Sequence, residues 1–91
     1  MADNLPRVEI TDAWLDLNVE TGLAVGTNLK IENVSPGAVD IAVFTGTPIG
    51  DVGESLEMFQ FVAVGDGETG SVWAKTSAKG GESKLSVQDN S

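Results

Sequence analysis

Glycine and proline, eleven and three of them, divide this chain into short segments, none of which shows a convincing helical period. Between the breaks, apolar and polar residues alternate with the two-residue period of half-buried strands. Ala13, Leu15, Leu17 and Val19 fall on one parity of residues 8–19, and Asp12, Trp14, Asp16 and Asn18 on the other. Leu29 and Ile31 alternate against Asn28, Lys30 and Glu32. Residues 38–45 are apolar on nearly both parities, as expected of a strand covered on both faces. Leu56–Val64 reads as one strand with Phe59 and Phe61 on one face and Leu56, Met58 and Val62 on the other. Val72 and Ala74 alternate against Trp73 and Lys75, and a last strand, Lys84–Gln88, centres on Leu85 and Val87.

The intervening segments carry turn chemistry. Pro36 presets a turn dihedral beside Gly37, which tolerates positive φ. Gly65-Asp66-Gly67 is a tight-turn signal of the kind that closes hairpins, and Lys79-Gly80-Gly81-Glu82 reverses the chain again. Gly46 to Ser55, with Pro48, Gly50 and Gly53, reads as the longest loop. The pattern predicts an all-β fold, a small antiparallel β-sandwich or β-barrel of about six to eight strands. Ninety-one residues make one domain, 1–91, with residues 1–7 as an N-terminal arm and 89–91 as a C-terminal tail. Trp14, Phe44, Phe59, Phe61 and Trp73, the largest side chains, are expected to dominate packing.

A core this small is modest, and without cysteine no disulfide or thiolate metal site reinforces it. Close packing and association with neighbours remain. Fourteen acidic against five basic residues give a net charge of −9, the wrong sign for neutralising phosphates, so the chain is expected to bind neither nucleic acid nor an anionic membrane. The charge keeps a small domain soluble, or it complements a basic partner surface. The first residues show no basic and apolar signal-peptide pattern, and no apolar run is long enough to span a bilayer.

Chemistry is sparse. Histidine, cysteine and tyrosine are absent, which removes Ser-His-Asp and Cys-His arrangements and histidine metal sites. The carboxylates fall mainly at solvent-facing positions and in turns, where charged side chains ordinarily sit. Gly50-Asp51-Val52-Gly53 and Gly65-Asp66-Gly67-Glu68 match neither the phosphate-binding loop nor the EF-hand spacing, so Asp66 and Glu68 offer at most a weak cation site. The expectation is a protein that is not an enzyme, with no catalytic residues, cofactor or metal. Trp14 and Trp73, set among polar neighbours, suit either a protein interface or a sugar-stacking platform. Asp40, a charge inside an apolar strand, suits a device that protects a strand edge or specifies its pairing.

Three stretches carry a resemblance. They are Ile10-Thr11-Asp12-Ala13-Trp14-Leu15-Asp16-Leu17, then Thr21-Gly22-Leu23-Ala24-Val25-Gly26-Thr27-Asn28-Leu29-Lys30-Ile31-Glu32-Asn33, and Ser71-Val72-Trp73-Ala74-Lys75 followed by Gly81 and Lys84-Leu85-Ser86-Val87-Gln88. Together they resemble small β-sandwich structural proteins encoded in the virion gene clusters of tailed bacteriophages. The resemblance spans most of the chain, although residues 36–66 depart from it, and its motifs are structural rather than catalytic. It implies a virion component, assembled in the bacterial host cytoplasm, that binds other virion subunits. Such a component decorates or cements the head, or serves as a neck or tail subunit, as a homo-oligomer or bound to a lattice. The interface expected from these readings includes Trp14, Asp40 and Trp73. The alternative is a carbohydrate-binding β module using Trp14 or Trp73.

Overall fold

A computed structural model describes residues 7–46, 54–77 and 81–90. Eight strands form two four-stranded antiparallel sheets, a small β-sandwich. Strands β1 (Val8–Ile10), β8 (Ser83–Asp89), β3 (Leu29–Asn33) and β6 (Phe61–Val64) make the first sheet, in that order. Strands β2 (Leu15–Asp16), β7 (Ser71–Thr76), β4 (Val39–Phe44) and β5 (Glu54–Leu56) make the second. Among the described residues, successive strands β4 and β5 share a sheet, and every other successive pair lies in different sheets. Each crossing turns the chain's alternating apolar parity toward the space between the sheets, so both inner faces are built together.

That space is filled by aliphatic side chains. Ile10, Leu29, Ile31, Val39, Leu85 and Val87 are completely buried, with Leu17, Val72 and Ala74 beside them. The alternation read in β3, β7 and β8 is borne out: Leu29, Ile31, Val72, Ala74, Leu85 and Val87 all point inward. In β4, Val39, Ile41 and Ala42 are buried, but Asp40 and Val43 are half-buried and Phe44, with Thr45 after it, is exposed, so the expected coverage of both faces holds only in part.

The aromatics behave otherwise. None of the five is buried: Trp14 and Trp73 are half-buried, Phe44 is 38% exposed, and Phe59 and Phe61 are 67% and 64% exposed. The expectation that Phe44, Phe59 and Phe61 dominate packing is therefore overturned. Branched aliphatics already fill the gap between the sheets, and the phenylalanines lie on outer positions or in a turn.

Two strand assignments also change. Residues 8–19 do not form one strand. After β2 the chain winds into a one-turn helix, α1 (Leu17–Thr21), capped by the Asp16 carboxylate, which accepts from the amides of Asn18 (3.0 Å) and Val19 (3.2 Å). Gly22 ends it at φ +75°, the left-handed conformation that suits glycine. The helix reverses the expected parity, leaving Val19 77% exposed and burying Asn18. Leu56–Val64 likewise divides: β5 ends at Leu56, a turn follows, and β6 begins at Phe61.

The Gly65-Asp66-Gly67 turn forms, with Gly65 and Gly67 at positive φ, but it joins β6 of one sheet to β7 of the other and is not a hairpin. Of the expected long loop, residues 47–53 lie outside the described residues, and Glu54 and Ser55 belong to β5. Residues 1–6 of the expected arm, Ser91 of the tail, and Lys79 and Gly80 of the last turn also lie outside them. Asp89, expected in the tail, is the final residue of β8.

Candidate functional site: a tryptophan-bearing sheet face and an uncharged strand edge

Paired residues in an antiparallel ladder share a face, and successive residues alternate between faces. In the second sheet Trp73 lies opposite Asp16 on one side and Ala42 on the other, and Lys75 lies opposite Asp40. All of these face outward, away from the inward Ala74, Ile41 and Val39. The Lys75 ammonium is 3.5 Å from a carboxylate oxygen of Asp40 and 5.4 Å from the centre of the Trp14 ring. The sheet thus brings the three residues singled out from the sequence, Trp14, Asp40 and Trp73, to one face around Lys75.

The groups on this face are engaged with one another. Asp40 also accepts from the Ser77 hydroxyl at 2.8 Å, and the Trp73 indole N–H donates to the Phe44 carbonyl at 3.3 Å. Because β4 runs between β7 and β5, Asp40 is not an edge-guarding charge; it lies opposite Lys75 in register. A polar strand position next to a cation of the neighbouring strand fixes register, since a one-residue slip would turn Asp40 toward the core.

The strand edges differ sharply. Each sheet ends in two edge strands, which offer unpaired backbone groups to any passing strand unless a charge, a proline or shortness discourages pairing. Strand β1 carries Glu9, β2 has only two residues, one of them Asp16, and β5 carries Glu54. Strand β6, Phe61-Val62-Ala63-Val64, carries no charge, and among the described residues it pairs only with β3. Phe61 and Ala63 are exposed on its outer face, while Val62 and Val64 pack partly against the core.

The turn leading into β6 adds to this surface. Met58 is 46% exposed, and Phe59 stands out at φ +65°, the one described non-glycine residue in the left-handed region. Its amide donates to the Asn33 carbonyl at 2.7 Å, and the Asn33 amide donates to Gln60 at 3.0 Å, which holds the turn against β3. Beside it runs a groove of about 260 Å³ between Ile41–Val43 of β4 and Val62–Val64 of β6. This surface leaves no trace in the sequence, because the alternation around Phe59 and Phe61 reads as packing and the topology that leaves β6 at an edge is not written in periodicity.

Asp66 and Glu68 are exposed in their turn, and among the described residues no group of three or more acidic side chains comes together as a metal site would require. No described helix is long and apolar enough to cross a membrane. Compared with family models, curated proteins and solved structures, the chain matches none.

Proposed function

We propose that this protein is a non-enzymatic structural subunit of a tailed-bacteriophage particle that binds other virion subunits to decorate or cement the capsid, with a place in the neck or tail as the alternative. The observation that carries the contact role is the uncharged β6 edge with Phe59 and Phe61 exposed beside it. Exposed aromatics in a cluster are typical of interface anchors, and an open edge is a ready site for pairing with another chain. The lack of histidine, cysteine and tyrosine supports a role without catalysis. The particle itself rests on the sequence resemblance described above.

The test is mass in solution by light scattering, first for the isolated protein and then with particles of the encoding phage assembled without it. Attachment at a fixed stoichiometry is expected, and the copy number separates head decoration from a neck or tail ring. A monomer that ignores such particles overturns the proposal. The carbohydrate-binding reading has the shared face of Trp14 and Trp73 in its favour, and against it the internal engagement of Lys75, Asp40 and the Trp73 indole.

A further inference from the structure

We infer that the β6 edge accepts an extended strand from a different protein, and that this strand is apolar along its length with basic residues at its ends. The inference rests on the contact role proposed above and specifies its partner.

The shape of the surface calls for a strand. An incoming segment that pairs with β6 places alternate side chains on the two faces of the enlarged sheet. One set enters the groove against Ile41, Val43, Val62 and Val64, where every lining side chain is apolar. The other set continues the outer face beside Phe61 and Ala63, with Phe59 at its end.

The charge around the edge selects the partner. Glu57 is exposed in the turn before β6, Asp66 and Glu68 are exposed in the turn after it, and Glu32 lies opposite Phe61 on β3. The basic group in register with this edge is Lys30, opposite Ala63, whose ammonium lies 5.0 Å from the centre of the Phe61 ring. An uncharged strand thus ends in acidic residues on both sides, within a chain of net charge −9. A second copy fits badly: antiparallel pairing of β6 with β6 would bring the Glu57 end of each copy to the Asp66 and Glu68 end of the other. Like charges set together across an interface suppress the wrong partner, and opposite charges steer the right one. The acidic rim and apolar centre therefore suit a strand capped by lysine or arginine.

The test uses the full-length protein and two blocked peptides of equal length that alternate valine and threonine, one with lysine at both ends and the other with glutamate. At millimolar peptide, the lysine-ended form is expected to shift the backbone amide signals of Phe61, Val62, Ala63 and Val64. It should bind roughly tenfold or more tightly than the glutamate-ended form, with the advantage shrinking as salt is added. Ala63→Lys, an outward-facing charge on the edge, should abolish these shifts while leaving the rest of the amide spectrum in place, and Ala63→Glu should weaken them less. Equal binding of the two peptides, no binding by either, shifts confined to another surface, or self-association of the protein through β6 each overturns the inference. Particle attachment separates this from the broader role. If wild type and Ala63→Lys attach equally well, the edge inference falls and the structural role stands. If the lysine-ended peptide binds at β6 but the protein ignores its particles, the role falls and the edge chemistry stands.

Discussion

The side-chain oxygen of Asn18 accepts a hydrogen bond from the backbone amide of Val72 at 2.8 Å, tying α1 to the start of β7 across 54 residues of sequence. The amide nitrogen of the same side chain donates to the carbonyls of Leu23 and Ala24, each at 3.0 Å. Asn18 is buried, and it serves as the bracket on which the crossing from the second sheet to the first is hung. Truncation by Asn18→Ala would take this partner from the buried Val72 amide and from the Leu23 carbonyl, while the Ala24 carbonyl still accepts from the Thr27 amide at 3.1 Å. Leaving buried polar groups unsatisfied costs about 1 to 3 kcal/mol each, partly recovered where water enters. The expected loss is about 3 kcal/mol by urea denaturation, a large share of the stability of a domain this size. A loss below about 1 kcal/mol would mean that water replaces the side chain freely.

Asn33 does the same work at the other end of the fold, and it distinguishes hydrogen bonding from size. Fully buried, it donates to the carbonyls of Gly37 (2.7 Å) and Leu56 (2.9 Å), and accepts from the Ser35 amide at 2.9 Å. Asn33→Asp preserves the shape but turns a carboxylate oxygen toward two carbonyls. An unpaired buried charge is costlier than a missing group. Asn33→Asp is therefore expected to destabilise at neutral pH by more than Asn33→Ala does, read from the urea midpoints of the two variants. The reverse order would show that the amide's donors contribute little.

The turn between β6 and β7 offers a paired glycine test. Gly65 and Gly67 both have positive φ, at 97° and 71°, so alanine at either adopts a strained backbone at a cost of about 1 kcal/mol. Their surroundings differ. A Cβ at Gly67 meets nothing within 4 Å, whereas one at Gly65 lies 2.8 Å from the Thr27 carbonyl oxygen and 3.1 Å from a Val72 methyl. Gly65→Ala should cost about 2 kcal/mol more than Gly67→Ala, since it also presses on the Thr27 backbone and the Val72 side chain. Equal effects in thermal denaturation would count against the close approach of Gly65 to Thr27 and Val72.

The shared face of Trp14 and Trp73 makes a prediction about ligands. A sugar platform needs an open ring face with free polar groups beside it. Here Lys75 lies over Trp14 and is paired with Asp40, and the Trp73 N–H is bonded to Phe44. Tryptophan emission is expected to stay unchanged across a broad glycan panel. A saturable shift abolished by Trp14→Ala or Trp73→Ala would favour the carbohydrate reading over the structural one.

What the sequence made legible follows from which interactions leave a periodic trace. The two-residue alternation of Leu29 with Ile31, Val72 with Ala74 and Leu85 with Val87 comes directly from one-sided burial, so those strands were readable. The same period in Leu15, Leu17 and Val19 was coincidental. Asp16 as a cap and Gly22 as a stop turn those residues into a helix, and the local capping energy outweighs an alternation of three residues. The Gly65 to Gly67 turn announced a reversal, but a turn does not say whether the next strand pairs with the last or crosses to the other sheet. That distinction decides that β6 is an edge. It also decides that Phe61 is exposed. Trp14, Asp40 and Trp73 could be singled out as unusual in their neighbourhoods, while Lys75, which gathers them, could be found only from the register of β4 against β7. Asn18 and Asn33 carried no mark, because their partners are backbone groups fixed by the fold.

Phe59 supplies the last prediction, because stability gives no account of it. A bulky residue at φ +65° is strained by about 1 kcal/mol, and at 67% exposure its ring recovers little by burial. Glycine adopts this conformation without strain, although it also loses more freedom on folding. Phe59→Gly is therefore expected to leave urea stability unchanged or to raise it by up to about 1 kcal/mol, in contrast to the loss of about 3 kcal/mol expected when a buried core side chain such as Ile31 is cut to alanine. If the phenylalanine is held there as a contact residue beside β6, the same variant should weaken attachment to particles about tenfold or more, the size of effect typical of an aromatic anchor. A variant that gains stability and loses attachment separates the two roles within one residue. A variant that loses about 2 kcal/mol of stability would instead place Phe59 in the structural frame and remove it from the contact surface.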